Sequence, residues 1–464
     1  MALPAPPPFP PAKPKSNLGL IIATVIVLAV ILEIAAGVGG VVFLRNWLPK
    51  RIARAKADRA RNIELHPKTA RDYNDRSAAR NARGDLDGAL ADMDRAIELD
   101  PKVPMYYDNR GYVRRAKGDV DGAIADFNRA IELDPEFARA YINRGGARSS
   151  KGDLDGSIAD YTRAIELDPK VGYVYGYRGF VRSSKRDFDG AIADLNKAIE
   201  LDPKVANFYG NRGHARSFKG DVKGAIADYD RAIDLDPKGG EAYTYRGTAK
   251  RWLGDLDGAI ADYTRAVDLN PKNKLARHDR GYTRALQGDF NGAIAELNHS
   301  LELDPNDARA FYLRGLSYML MREWTKALAD FQSGIKVSNR DEDYSRFFCW
   351  LIRARLGDTD AANEELSRFL AKRHRQATGD WISTAGGFLL GNVTEAELFA
   401  AAASPDARKE RRQQCEARYY AGMKKLLSGD KPAAVDDFQK CLAIELMEVT
   451  EYHLAGAELK ALAP

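Results

Sequence analysis

The chain has 464 residues, too many for one compact core, so two to four structural units are expected. Its 71 Lys and Arg nearly balance 66 Asp and Glu, leaving a net charge of +5 with the two signs interspersed. That excludes a protein built mainly to grip nucleic acid. Three cysteines exclude a disulfide-dense scaffold, and six histidines leave little material for a metal site.

Residues 1–17 are proline-rich and are expected to be extended and disordered. From Leu18 to Leu44 the chain is apolar, interrupted only by Thr24, Glu33 and glycines. A helix of that length would span about 40 Å, enough to cross a hydrocarbon core of about 30 Å. The run passes without a cleavage site into Asn46, Trp47 and the basic residues Lys50, Arg51, Arg54, Lys56 and Arg59. It reads as an uncleaved transmembrane helix over 18–44, not a signal peptide. Glu33 within it either reaches an interface by tilt or meets a partner helix. Residues 45–69 read as a basic juxtamembrane helix or half-repeat, because Pro67 already stands in register with a series of later prolines.

These prolines recur 34 residues apart, at 67, 101, 135, 169, 203, 237, 271 and 305. Most close the phrase Ile-Glu-Leu-Asp-Pro or a near copy, and a Gly-Asp turn precedes nearly all of them, as at Gly118-Asp119. Each unit predicts two helices, the first from about Tyr107 to Lys117 and the second near Val120 to Leu133. Gly118 suits a left-handed C-terminal cap, Asp119 an N-cap, and Pro135 cannot continue a helix. The recurring Asp-x-Asp-Gly reads as capping, since the other ligands of a calcium loop are missing.

The period resembles the tetratricopeptide repeat. An early aromatic (Tyr107, Tyr141, Tyr175), a contact glycine (Gly111, Gly145, Gly179) opposed by Ala123 or Ala191, and a later aromatic or leucine (Phe127, Tyr161, Leu195) carry the resemblance. It implies an all-α fold, an α-solenoid of helix pairs, with eight units over 70–341. One departure is that Arg110, Arg144, Arg178, Arg212 and Arg246 stand where the family has an apolar residue. Asp126, Asp160, Asp194, Asp228 and Asp262 stand on the facing helix. Two readings are open: an internal Arg–carboxylate ladder, or a basic rail for an anionic ligand.

Residues 342–464 read as degenerate repeats closed by a C-terminal capping helix. The Trp381 segment, Phe388-Leu389-Leu390-Gly391-Asn392, Tyr419-Tyr420-Ala421-Gly422, Leu427-Ser428-Gly429-Asp430 and Glu451-Tyr452-His453 resemble NlpI-like bacterial tetratricopeptide adaptors. That resemblance implies an envelope adaptor for peptidoglycan hydrolases and a protease. Cys415 and Cys441 face each other if the last unit is an antiparallel hairpin, because their position numbers share the sum of the contact pair Gly422 and Ala434. They read either as a disulfide or as two packed thiols.

No catalytic spacing occurs, so no enzyme and no cofactor are expected. The leading expectation is a membrane-anchored scaffold that binds other proteins or peptides. The tetratricopeptide resemblance places binding on the concave side of the first helices, here at Tyr112, Arg115, Phe180, His214, Arg251, Trp252, Tyr282 and Tyr312. Inter-repeat packing is the competing role for these side chains. A self-associating membrane organiser, and hence a homo-oligomer, is the alternative function. The expected localisation is single-pass in a bacterial inner membrane. Charge flanking the span favours a cytoplasmic solenoid, and the NlpI resemblance a periplasmic one.

Overall fold

The computed structural model describes residues 66–338, 343–373 and 380–463. Among the described residues the fold is an all-α solenoid without strands, and the chain divides into two compact units, residues 1–203 and 204–464. The first unit contains α1 (Ala70–Ala82), α2 (Leu86–Leu99), α3 (Pro104–Ala116), α4 (Val120–Leu133), α5 (Ala138–Lys151), α6 (Leu154–Leu167), α7 (Gly172–Ser184) and α8 (Phe188–Leu201). Odd and even helices pack as successive pairs, and each pair packs on the next.

The 34-residue punctuation accounts for these boundaries. Asp119 caps α4: its carboxylate accepts the Gly122 N–H at 2.9 Å, and Asp85, Asp153 and Asp187 do the same for α2, α6 and α8. The Asp-x-Asp-Gly signature is therefore a helix start. Helix α3 begins at Pro104, a turn earlier than the expected Tyr107, because proline is well suited to a first helical position. The pair α3/α4 closes where a Cβ on Gly111 would lie 2.7 Å from Phe127 and 3.0 Å from the Ala123 carbonyl. After α3, Gly118 takes φ +91°. After α7 the same left-handed position is held by Arg186 at φ +65°.

The second unit continues the pairing through α9 (Ala206–Lys219), α10 (Val222–Leu235), α11 (Gly240–Trp252), α12 (Leu256–Leu269), α13 (Lys274–Gln287), α14 (Phe290–Leu303), α15 (Ala308–Leu320) and α16 (Trp324–Val337). It ends in α17 (Asp343–Arg355), α18 (Thr359–Arg373), α19 (Trp381–Leu390), α20 (Glu395–Ala401), α21 (Ala407–Leu427), α22 (Lys431–Leu442) and α23 (Thr450–Leu462). Phe347, Phe348, Tyr419, Tyr420 and Phe438 are wholly buried and form the aromatic heart of this end.

The expected single-pass membrane localisation is corrected. Among the described residues no helix is long and apolar enough to cross a membrane. The stretch 18–44, with the tail 1–17 and residues 45–65, lies outside the described residues.

Candidate functional site

The repeated arginines decide how much positive charge is left for a ligand. In the first unit Arg110 donates from Nε and Nη2 to Asp126 at 2.9 and 2.6 Å. Arg144 meets Asp160 and Arg178 meets Asp194 in the same two-pronged way. A second base one turn later joins each carboxylate: Arg114 to Asp126 at 2.8 Å, Arg148 to Asp160 and Arg182 to Asp194 both at 2.9 Å. The remaining arm reaches the preceding repeat, Arg110 to Asp94, Arg144 to Asn128 and Arg178 to Thr162. Each guanidinium also lies over the aromatic three residues before it, Tyr107, Tyr141 or Tyr175. Burial opposes the Arg110 charge, but the hydrogen bonds it donates to Asp126 and Asp94 raise its pKa above the ordinary value.

In the second unit Arg212 pairs with Asp228 and Arg246 with Asp262. Arg280 and Arg314 pair with Glu296 and Asp330. The inter-repeat arm recurs as Arg246 to Asp230, Arg280 to Thr264 and Arg314 to Asn298. Sequence reading did not include that arm, although polar residues recur at its acceptor position in the 34-residue register.

The first-helix candidates fall into two sets. Tyr112, Arg115 and Phe180 belong to the first unit and are half-buried. The Arg115 guanidinium lies over the Tyr112 ring, with Nη1 only 2.7 Å from where a Cβ on Gly146 would stand. Gly146 thus makes room for the arginine on the next repeat. Tyr161 and Tyr177 pair at 5.9 Å, Tyr177 meets Tyr173 at 5.8 Å, and Phe180 packs on the same cluster. Burial raises the Tyr177 hydroxyl to about 12, so this patch is uncharged apart from Arg115 and its neighbours. Next to it Asp108 is buried with Arg139 at 2.6 Å and Asn143 at 2.8 Å, and burial still raises its pKa. Tyr173 is 40 % exposed, the most open ring of the group. Tyr173 and Tyr177 were missed; they sit one repeat after Arg139 and Asn143, where aromatics replace polar residues.

The second-unit candidates have different surroundings. His214 lies between Phe218 and Tyr245, and burial lowers its pKa. Arg251 is buried over the Tyr282 ring. The chain's own C-terminal segment covers the rest. Arg408 lies over Phe218 and Trp252, donates to the Ser217 and Phe218 carbonyls at 3.0 and 2.6 Å, and pairs with Glu448 through two bonds. Met447 Sδ sits 3.3 Å from where a Cβ on Gly254 would be. Thr450 lies beside the Tyr282 and Tyr312 hydroxyls, and Tyr282 meets the His453 ring edge-on. Glu458 on α23 pairs with Arg355 and Arg322.

The pieces that carry the NlpI-like resemblance lie in this closing core. Trp381 Nε1 donates to Glu416 at 2.6 Å, and the Tyr420 hydroxyl donates to Glu451 at 2.9 Å.

Family models described as tetratricopeptide repeat match residues 111–149, 138–171, 182–239, 240–273 and 281–321. These units are tetratricopeptide repeats. Similar solved structures include a tetratricopeptide repeat protein from Parabacteroides merdae, 17% identical, covering 54% of this chain and 98% of that one with a TM-score of 0.46. MamA is 26% identical over 35% of this chain and 95% of its own, with a TM-score of 0.33. YrrB, a tetratricopeptide protein with an unusual peptide-binding site, is 21% identical over 40% of this chain and 96% of its own, at 0.35. No curated protein matches the chain.

Proposed function

We propose that the chain is a scaffold that binds partner proteins through its tetratricopeptide repeats, and that its work is binding and not turnover. In this reading residues 70–341 carry the binding repeats and 342–464 close them. The observation that carries it is the patch of Tyr112, Arg115, Tyr173, Tyr177 and Phe180 in the first unit, half-buried or exposed and built from the side chains that anchor interfaces. The ladder arginines favour the same patch indirectly. With each guanidinium engaged by a carboxylate, they offer no open basic rail, so a partner would be chosen by aromatic and arginine contacts. The partner would be a peptide segment with apolar side chains and an acidic group for Arg115.

The test is a peptide array probed with the full chain and with its Tyr112→Ala and Phe180→Ala forms. Spots bound by the parent and lost by both variants, at unchanged helical content, support the reading. Equal binding by all three would place the partner site elsewhere.

A further inference from the structure

The geometry points to Cys415 and Cys441 as a dithiol site that closes into an intramolecular disulfide, with a small thiol disulfide such as oxidised glutathione as co-reactant. The inference is independent of partner binding. Cys415 lies on α21 and Cys441 on α22, an antiparallel pair closed where a Cβ on Gly422 would stand 2.7 Å from Phe438. Both thiols are 0 % exposed, and their sulfurs are 2.8 Å apart, inside the separation of two sulfur atoms that merely pack. Each sulfur is also directed at the other residue's carbonyl, Cys441 Sγ to Cys415 O at 3.3 Å and Cys415 Sγ to Cys441 O at 3.9 Å. Among the described residues no third or fourth Cys, His, Asp or Glu completes a metal site there. Dithiol chemistry is what the arrangement can do.

The same burial says when the bond forms. Both thiols are sealed from solvent, so an oxidant cannot reach them in the packed hairpin, and the hydrogen bond to Cys441, then desolvation, holds the Cys415 thiol above its ordinary pKa. Reaction belongs to the chain while α21 and α22 are still parting or coming together. There the Cys415 thiolate attacks one sulfur of the oxidant, breaks its S–S bond and releases one thiolate. The Cys441 thiolate then attacks the Cys415 sulfur of this mixed disulfide and releases the second. Two electrons and two protons leave the cysteine pair, and two small thiols are formed. Once packed, the bridge is shielded from reductant. It ties α21 to α22 and supports α23, whose Glu451 carbonyl lies 3.9 Å from Cys441 Sγ.

The experiment refolds the full chain from denaturant in glutathione buffers of graded poise, blocks free thiols with N-ethylmaleimide under denaturing conditions, and weighs the intact protein. Under oxidising poise one maleimide is expected, on Cys349, together with a proteolytic fragment joining Cys415 to Cys441. The oxidised protein should unfold at a higher temperature than the same sample after reduction. Three maleimides at every poise, a bridge to Cys349, or glutathione left on either cysteine would overturn the inference. Cys441→Ala restores the residue found at this repeat position at Ala198, Ala232 and Ala266, so it should fold. Its melting should not respond to oxidant, and a response equal to that of the parent would also overturn the assignment.

Discussion

Arg178 has its three donor nitrogens committed at once: two bonds to Asp194 at 2.9 and 2.7 Å and one to Thr162 in the preceding repeat at 3.0 Å. Asp194 is buried, so Arg178→Ala leaves a carboxylate with Arg182 as its remaining cation. We expect a loss of about 3 kcal/mol in denaturant unfolding of the first unit. The double change Arg178→Leu with Asp194→Leu should cost less, because no buried carboxylate is stranded and Arg182 retains Asp187. Unchanged unfolding with abolished peptide binding would instead favour the basic-rail reading. A second residue-scale expectation concerns Arg186, which adopts φ +65° where Gly118, Gly152 and Gly220 stand in other repeats. Its side chain is exposed, so Arg186→Gly relieves the backbone at little cost in contacts. A gain of about 1 kcal/mol is expected in the same assay. A loss would mean that the arginine side chain contributes more than its backbone conformation costs.

At the scale of elements, helix starts and stops were legible because one 34-residue phrase writes them repeatedly in residues with local mechanisms. Asp119 caps, Gly118 turns and Gly111 admits Phe127, all within one unit of sequence. The docking of α23 had no such signature. Glu451 on α23 is buried beside Glu416 on α21, which already accepts bonds from Trp381, Tyr344 and Arg412. Burial, then the neighbouring Glu416 charge, raises the Glu451 pKa to about 8. An acid raised on folding binds more protons in the folded than in the unfolded state between its two pKa values. Its contribution is therefore present below the ordinary carboxylate range and is lost as pH rises from there towards about 8. Thermal unfolding followed from pH 5 to 8.5 should show falling stability of the second unit. Glu451→Gln should flatten that slope and leave the variant the more stable form at pH 8.5. An unchanged slope would assign the pH dependence to other groups.

For the whole molecule, the repeat fold and the ladder residues could be read from the sequence because their partners lie 16 residues apart in a fixed register. The covering of the second-unit face could not. Arg408 reaches the Phe218 carbonyl 190 residues back, and no period relates those positions. The first-helix aromatics therefore looked alike in sequence while having different surroundings. Tyr282 is buried beneath Thr450 and His453, whereas Phe180 is half-buried in a patch that includes the exposed Tyr173. Truncating a buried aromatic removes packing and leaves a cavity, so Tyr282→Ala should cost about 3 kcal/mol of second-unit stability. Being already covered, it should leave peptide affinity at 25 °C unchanged in samples that remain folded. Phe180→Ala should do the reverse, weakening binding about tenfold, or about 1.4 kcal/mol, with a smaller loss of stability. Titration of a labelled array-selected peptide into each full-length variant, with circular dichroism on the same samples, reads both quantities together. If Tyr282→Ala abolishes binding while the protein stays folded, the covered face takes part in recognition. The C-terminal segment would then have to yield to the partner.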